Sequence, residues 1–173
     1  ALADKDAVYA DELQLTVTTL TPQIARVFGS GKVSPVEELV GTSVQQIILG
    51  SCVNGQFEDL KLAADIIKGK KIHPDVRFYV LPASRSVYLE ALKKGLIRAF
   101  IEAGAIVMHP GALHTPIDNL GFITGGERCL VSSYLTATPK VEANSGELLV
   151  ASPATCAASA LKGEIVNPAS VVK

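Results

Sequence analysis

Between residues 13 and 20 apolar and polar side chains alternate, with Leu13, Leu15 and Val17 on one parity and Gln14, Thr16 and Thr18 on the other. That period of two predicts an edge strand with one solvated face. Pro22, Gly29, Gly31 and Pro35 then punctuate a loop-rich stretch, with a short helix expected over residues 36–40. From residue 44 the rhythm changes. Residues 46–50 read as a short apolar strand, and residues 57–67 repeat their apolar positions at helical spacing. The same order recurs at 77–81 with 86–94, at 105–109, at 129–133, and at 148–151 with 153–161. Strands alternating with helices predict a mostly parallel sheet with helices on both faces, a three-layer α/β/α architecture.

Composition narrows the class. The 173 residues are 48% hydrophobic, 19% charged and 5% aromatic, which suits one domain or two small ones. At this length roughly 70% of the unfolded surface can be buried, so no disulfide or structural metal is needed, and disorder is excluded. Sixteen Lys and Arg against seventeen Asp and Glu leave a net charge of −1 without a run of like charges, so a nucleic-acid footprint is not expected. Mean hydropathy is high at +0.32, yet no stretch of eighteen uninterrupted apolar residues marks a membrane helix. The surplus is read as strands buried on both faces. The opening residues, Ala1 to Asp6, carry neither an initiator Met nor a signal-peptide pattern, so residues 1–173 are expected to be a single domain excised from a larger protein. Cys52, Cys129 and Cys156 form no CxxC pair and are odd in number, which argues against a disulfide framework and for the cytoplasm.

In open α/β sheets, ligands bind where strands end and helices begin, because unpaired helix N–H groups attract anions there. Four expected strand ends carry small polar residues: Gly50 to Gly55, Pro82 to Ser86, Ser132 with Ser133, and Ser152 to Thr155. Ser152 followed by Pro153 is a helix start, Ser51 or Asn54 is a candidate cap for the first helix and Ser84 for the second. Together they suit a carboxylate or phosphate, although each serine is also accounted for as a cap alone. Arg85 and Lys140 are candidate cations for such a ligand, with Arg85 able to grip a carboxylate through two bonds. Cys52 sits where a thiolate would be stabilised, while Cys129 and Cys156 read as core thiols. His109 and His114 flank a loop but lack an obvious third metal ligand, and His73, beside Pro74, is expected in solvent.

The segment from Ile48 to Leu60, with Gly50-Ser51-Cys52-Val53-Asn54-Gly55 at its heart, resembles the GSCTNGRxEDL segment of aconitase-family dehydratases, in particular the 3-isopropylmalate dehydratase large subunits. The resemblance continues through Val80 to Ser84, Phe100 to Ala105, Pro110-Gly111, Gly126 to Cys129, and Val150 to Ala160, so that it covers residues 13–166 in the family's order. It implies the fold of the third aconitase domain. It also implies a [4Fe–4S] cluster held by three cysteines, acting as Lewis acid on a hydroxy di- or tricarboxylate. Cys52 matches the first of those cysteines and is the only retained metal-ligand position. The other two positions hold Ala112 and Thr115, neither of which ligates iron as a thiolate does, so the cluster is expected to be absent.

The family's arginine stretch SNRNFxGR is replaced from Ser133 to Lys140, leaving Leu135 at one arginine position and Lys140 at the other, and Gln56 replaces a further arginine. The resemblance therefore implies a domain of a hydro-lyase or isomerase that is inactive by itself. Its partners would be further domains of the same enzyme, or a small swivelling subunit, and a small hydroxy-carboxylate. Ser51, Asn54, Ser84, Arg85, Ser133, Lys140 and Ser152 are its candidate substrate contacts. A second expectation stands beside the first: a degenerate, non-catalytic domain that binds a carboxylate or a partner subunit.

Overall fold

A computed structural model describes residues 3–26, 32–111, 123, 125–133 and 146–171. Seven strands form one sheet: β1 (Gln23–Arg26), β2 (Val33–Pro35), β3 (Gln46–Gly50), β4 (Arg77–Leu81), β5 (Ile106–Val107), β6 (Arg128–Val131) and β7 (Glu147–Val150), in the order β2-β1-β7-β6-β3-β4-β5. The five strands from β7 to β5 run parallel; β1 is antiparallel to both β2 and β7. Helices α1 (Ser51–Asn54), α2 (Phe57–Ile67), α3 (Arg85–Lys93), α4 (Leu96–Ala103) and α5 (Pro153–Lys162) join or follow these strands.

The central strands are apolar at consecutive positions because both of their faces are buried. Ile47, Leu49, Phe78, Val80, Leu130 and Leu149 point into one core with the inner faces of α2, α4 and α5. Ile48, Leu81, Cys129, Val131 and Leu148 point to the other side and form a second buried cluster with Ile123. Burial on both faces makes the sheet the middle of a three-layer α/β/α architecture, as the alternation of elements predicts. On the first face, Phe78 and Phe100 meet edge to face with ring centroids 6.3 Å apart, tying β4 to α4.

Local chemistry sets the helix starts. Ser84 Oγ accepts from the Val87 amide at 3.2 Å and Ser152 Oγ from the Thr155 amide at 3.1 Å, the latter ahead of Pro153 at the first helical position. Neither Ser51 nor Asn54 caps α2. Its N-cap is Gln56, whose amide donates to the Asp59 carboxylate at 3.1 Å, and both free side chains go elsewhere.

Four further expectations change. Among the described residues the alternating segment 13–20 enters no strand pairing; Leu13, Leu15, Val17 and Leu20 are exposed, and Val17–Thr19 form a 3-10 turn, because alternation supplies an apolar face but does not by itself make a ladder. The short helix at 36–40 is a 3-10 turn, Val36–Leu39. His73 is half-buried rather than solvated: a Cβ on Gly163 would lie 2.7 Å from its Nδ1, so the ring packs beneath the left-handed end of α5. The edge strand β5 also spans only Ile106 and Val107, within the expected 105–109.

Candidate functional site

Because β3, β4, β6 and β7 are parallel and in register, with Gly50 opposite Leu81, Ile48 opposite Val131, and Val131 opposite Val150, their carboxyl ends emerge at the same edge of the sheet. The β3 turn is the tightest. A Cβ on Gly50 would lie 2.1 Å from the Leu81 carbonyl oxygen, and φ there is +106°, so no other residue fits. Ser51 follows with φ +85°, the one positive value outside glycine among the described residues. Such strain persists only where the surroundings over-determine it.

Here those surroundings are hydrogen bonds to the β6 turn. Ser51 Oγ and Ser133 Oγ lie 2.9 Å apart, and the Gly50 amide donates to Ser132 Oγ at 2.8 Å. The Asn54 side-chain amide donates to the Ser132 carbonyl. On the other flank the Ala83 amide donates to the Gly55 carbonyl at 2.8 Å, drawing in the β4 turn. Three turns that are distant in sequence are thereby fastened into one rim.

Of the expected contacts, Ser51 and Ser133 are buried and bonded to each other, so they form the frame. Asn54 and Ser84 are half-buried, and Cys52, Arg85 and Ser152 are exposed. Ser84 and Ser152 spend one lone pair on capping. Lys140, His114, Ala112 and Thr115 fall outside the described residues. Fully buried Ser132, expected at a strand end but not among the candidate contacts, takes its place in the frame through a contact with Gly50 across 82 residues, which no local pattern reveals. The pair Gly50 and Gly55, both pressed against the Leu81 carbonyl, was the available signal for the turn.

Cys52 is exposed on α1. Cys129 lies at the opposite end of the sheet, beside Gln46 in register, and its side chain belongs to the second cluster. Burial pushes its thiol up to about 12, partly offset by Gln46 and Arg77. Cys156 is buried in α5 on the other face of the sheet, and burial raises its thiol further. A cluster of the kind the resemblance implies needs converging thiolates. The cysteines of this chain do not supply that set, since only Cys52 reaches the strand-end rim. Among the described residues no three His, Cys, Asp or Glu side chains gather as a metal site, and His109 is exposed beyond β5. Nor is any described helix long and apolar enough to cross a membrane.

Comparison with known proteins adds an independent line. Residues 34–163 match the model of the Aconitase family (aconitate hydratase). The chain is 42% identical over 165 residues to the 3-isopropylmalate dehydratase large subunit 1 of Methanopyrus kandleri, covering 95% of this chain and 40% of that protein. It is 42% identical over 166 residues to the large subunit 2 of Archaeoglobus fulgidus, covering 96% and 40%. For the large subunit of Moorella thermoacetica the figures are 38% over 171 residues, 99% and 41%. The chain thus spans about two fifths of the length of these relatives.

Proposed function

Since the chain belongs to the aconitase family, we propose that it serves as one domain of a hydro-lyase or isomerase acting on a hydroxy di- or tricarboxylate, without the usual [4Fe–4S] cluster and inactive in isolation. One observation carries this reading. The strand-end rim keeps its strained Gly50–Ser51 turn and its bonds to Ser132, Ser133 and Asn54, while the remaining thiols of the chain are buried on opposite faces of the sheet. Strain retained at a rim that ends four parallel strands suits a site that still positions a ligand.

In this reading Asn54 and Ser84 donate to substrate oxygen, and Arg85 and Lys140 hold the carboxylates. Ser51, Ser133 and Ser152 fix the turns that aim them, and Cys52 is a solitary remnant of the metal site. The relatives named as large subunits support an assembly in which further domains or a small subunit complete the site. Unpaired thiols suit the reducing cytoplasm.

Iron and acid-labile sulfide measured after anaerobic purification, together with an NMR titration by malate and 3-isopropylmalate, test the proposal. Neither iron nor sulfide should be found, and the Asn54 and Ser84 amides should shift with a saturable dependence on ligand. Stoichiometric iron and sulfide would overturn the cluster-free part, and unmoved resonances would overturn the ligand site. The replacement of both arginine positions by Leu135 and Lys140 favours a second reading, a non-catalytic carboxylate-binding or subunit-interaction domain. Turnover of a hydroxy acid by the completed assembly would eliminate it.

A further inference from the structure

The serine hydroxyls of the strand-end rim already carry partners. Ser51 and Ser133 bond each other, Ser84 Oγ caps the Val87 amide and lies 2.8 Å from Ser86 Oγ, and Ser152 Oγ caps the Thr155 amide and lies 3.0 Å from Thr155 Oγ1. Asn54 differs. It is half-buried at the carboxyl end of α1, and among the described residues its side chain makes one bond, to the Ser132 carbonyl. A carbonyl oxygen only accepts, so the carboxamide turns its nitrogen to Ser132 and its Oδ1 away. Ser132 is fully buried and also holds the Gly50 amide through its hydroxyl at 2.8 Å, which makes the anchor a rigid one. No described group donates to Asn54 Oδ1, and the atom is not sealed from solvent.

With one N–H committed to Ser132, Asn54 keeps a second N–H and an acceptor. A carboxylate only accepts, so it can use the N–H but meets Oδ1 as a like partial charge; a hydroxyl both donates and accepts, and can use either atom. The carboxylates are better served on the flank where Arg85 begins α3, a turn held beside Asn54 by the Ala83 amide bonded to the Gly55 carbonyl. Resting on the reading of this rim as a carboxylate site, we infer that Asn54 is its specificity-determining residue. Its Oδ1 accepts from the hydroxyl of the ligand, so the rim selects a hydroxy-dicarboxylate over the same dicarboxylate without the hydroxyl. A site built around such a bond rejects the analogue because its own polar atom is then covered without a partner.

The test titrates the 173-residue chain with malate and with succinate, which differ by the hydroxyl alone, and follows both by NMR. Malate should bind about 3- to 10-fold more tightly, the scale of one neutral hydrogen bond, and only malate should move the side-chain carboxamide signals of Asn54. Asn54→Ala should weaken malate until the two affinities agree within about 2-fold, and leave succinate unchanged. Asp59→Ala removes the carboxylate that caps the start of α2, so it should lower the melting temperature yet keep the preference for malate, which separates a loosened turn from a lost acceptor. Equal affinities in the unaltered chain, a preference that survives Asn54→Ala, or one that disappears in Asp59→Ala would overturn the inference and leave the carboxylate reading standing. Failure of both ligands to bind the unaltered chain would overturn that reading and the inference with it. The affinity ratio and the carboxamide signals are read without any substitution, so a variant that does not fold leaves the test decisive.

Discussion

Gly50→Ala should be among the most damaging single substitutions in this chain, and its cost can be divided using two other glycines. Gly41 has φ +82° and nothing within 4 Å of a built Cβ, so Gly41→Ala carries the conformational penalty alone. A left-handed non-glycine residue costs about 1–2 kcal/mol, offset by about 0.4–1 kcal/mol because alanine stiffens the unfolded chain, leaving about 1 kcal/mol. Gly55 lies outside the positive-φ region, but its Cβ would stand 2.5 Å from both the Leu81 and Ser51 carbonyl oxygens, so Gly55→Ala carries the steric penalty alone. Overpacking costs about 1–3 kcal/mol, and the upper end applies because the obstructing atoms are backbone and cannot swing aside. Gly50→Ala adds a backbone penalty to the steric one: φ +106° with ψ −135° lies in a region open essentially to glycine, and its Cβ would stand 2.1 Å from the Leu81 oxygen, for about 2–6 kcal/mol.

Against a typical domain stability of about 5–15 kcal/mol such a loss is readily measured. Urea unfolding of the three variants should give midpoints in the order Gly41→Ala, then Gly55→Ala, then Gly50→Ala, with unchanged slopes. If Gly50→Ala falls within about 0.5 kcal/mol of Gly41→Ala, the contact between the β3 turn and β4 contributes nothing and the reasoning fails.

Four other outcomes follow from the same geometry. A thiol reagent at pH 8 should label Cys52 and leave Cys129 and Cys156 untouched until denaturant is added; labelling of more than one thiol in the native chain refutes their burial. Because burial raises Cys129 from 9.0 to about 12, the unfolded chain releases that proton first, so its contribution to stability is intact below about pH 9 and is lost as pH rises to about 12. Cys129→Ala should flatten this alkaline decline, and an unchanged pH profile would contradict it. Ser51→Ala and Ser133→Ala should each cost about 1 kcal/mol, and the double variant less than their sum, because they share one hydrogen bond; strict additivity in urea unfolding would deny the bond. Arg85→Ala should leave the melting temperature in place, since the residue is exposed, yet weaken 3-isopropylmalate binding by about 10-fold or more, on the scale of a charge-assisted bond; unchanged affinity by titration calorimetry removes Arg85 from the site.

What the sequence determined by itself is whatever neighbouring residues can settle among themselves. The helices at 57–67 and 153–162 follow from apolar spacing and from Ser152-Pro153, whose effects act within one turn. The strands at 46–50 and 77–81 follow from apolar runs too short for helices. Buried Cys129 and Cys156 were legible from their apolar flanks. Tertiary structure decided every question that needs a partner from afar. The alternation at 13–20 met the requirement for a strand face but enters none of the described strand pairings, whereas the four residues of β1 became a strand because β2 and β7 flank them. The strand-end rim likewise depends on Gly50, Ser51 and Asn54 meeting Ser132 and Ser133 across about 80 residues. Periodicity specifies which side of an element is apolar, but a hydrogen-bonded ladder or a shared hydroxyl contact forms only when the folded sheet brings the second half of the pair into place.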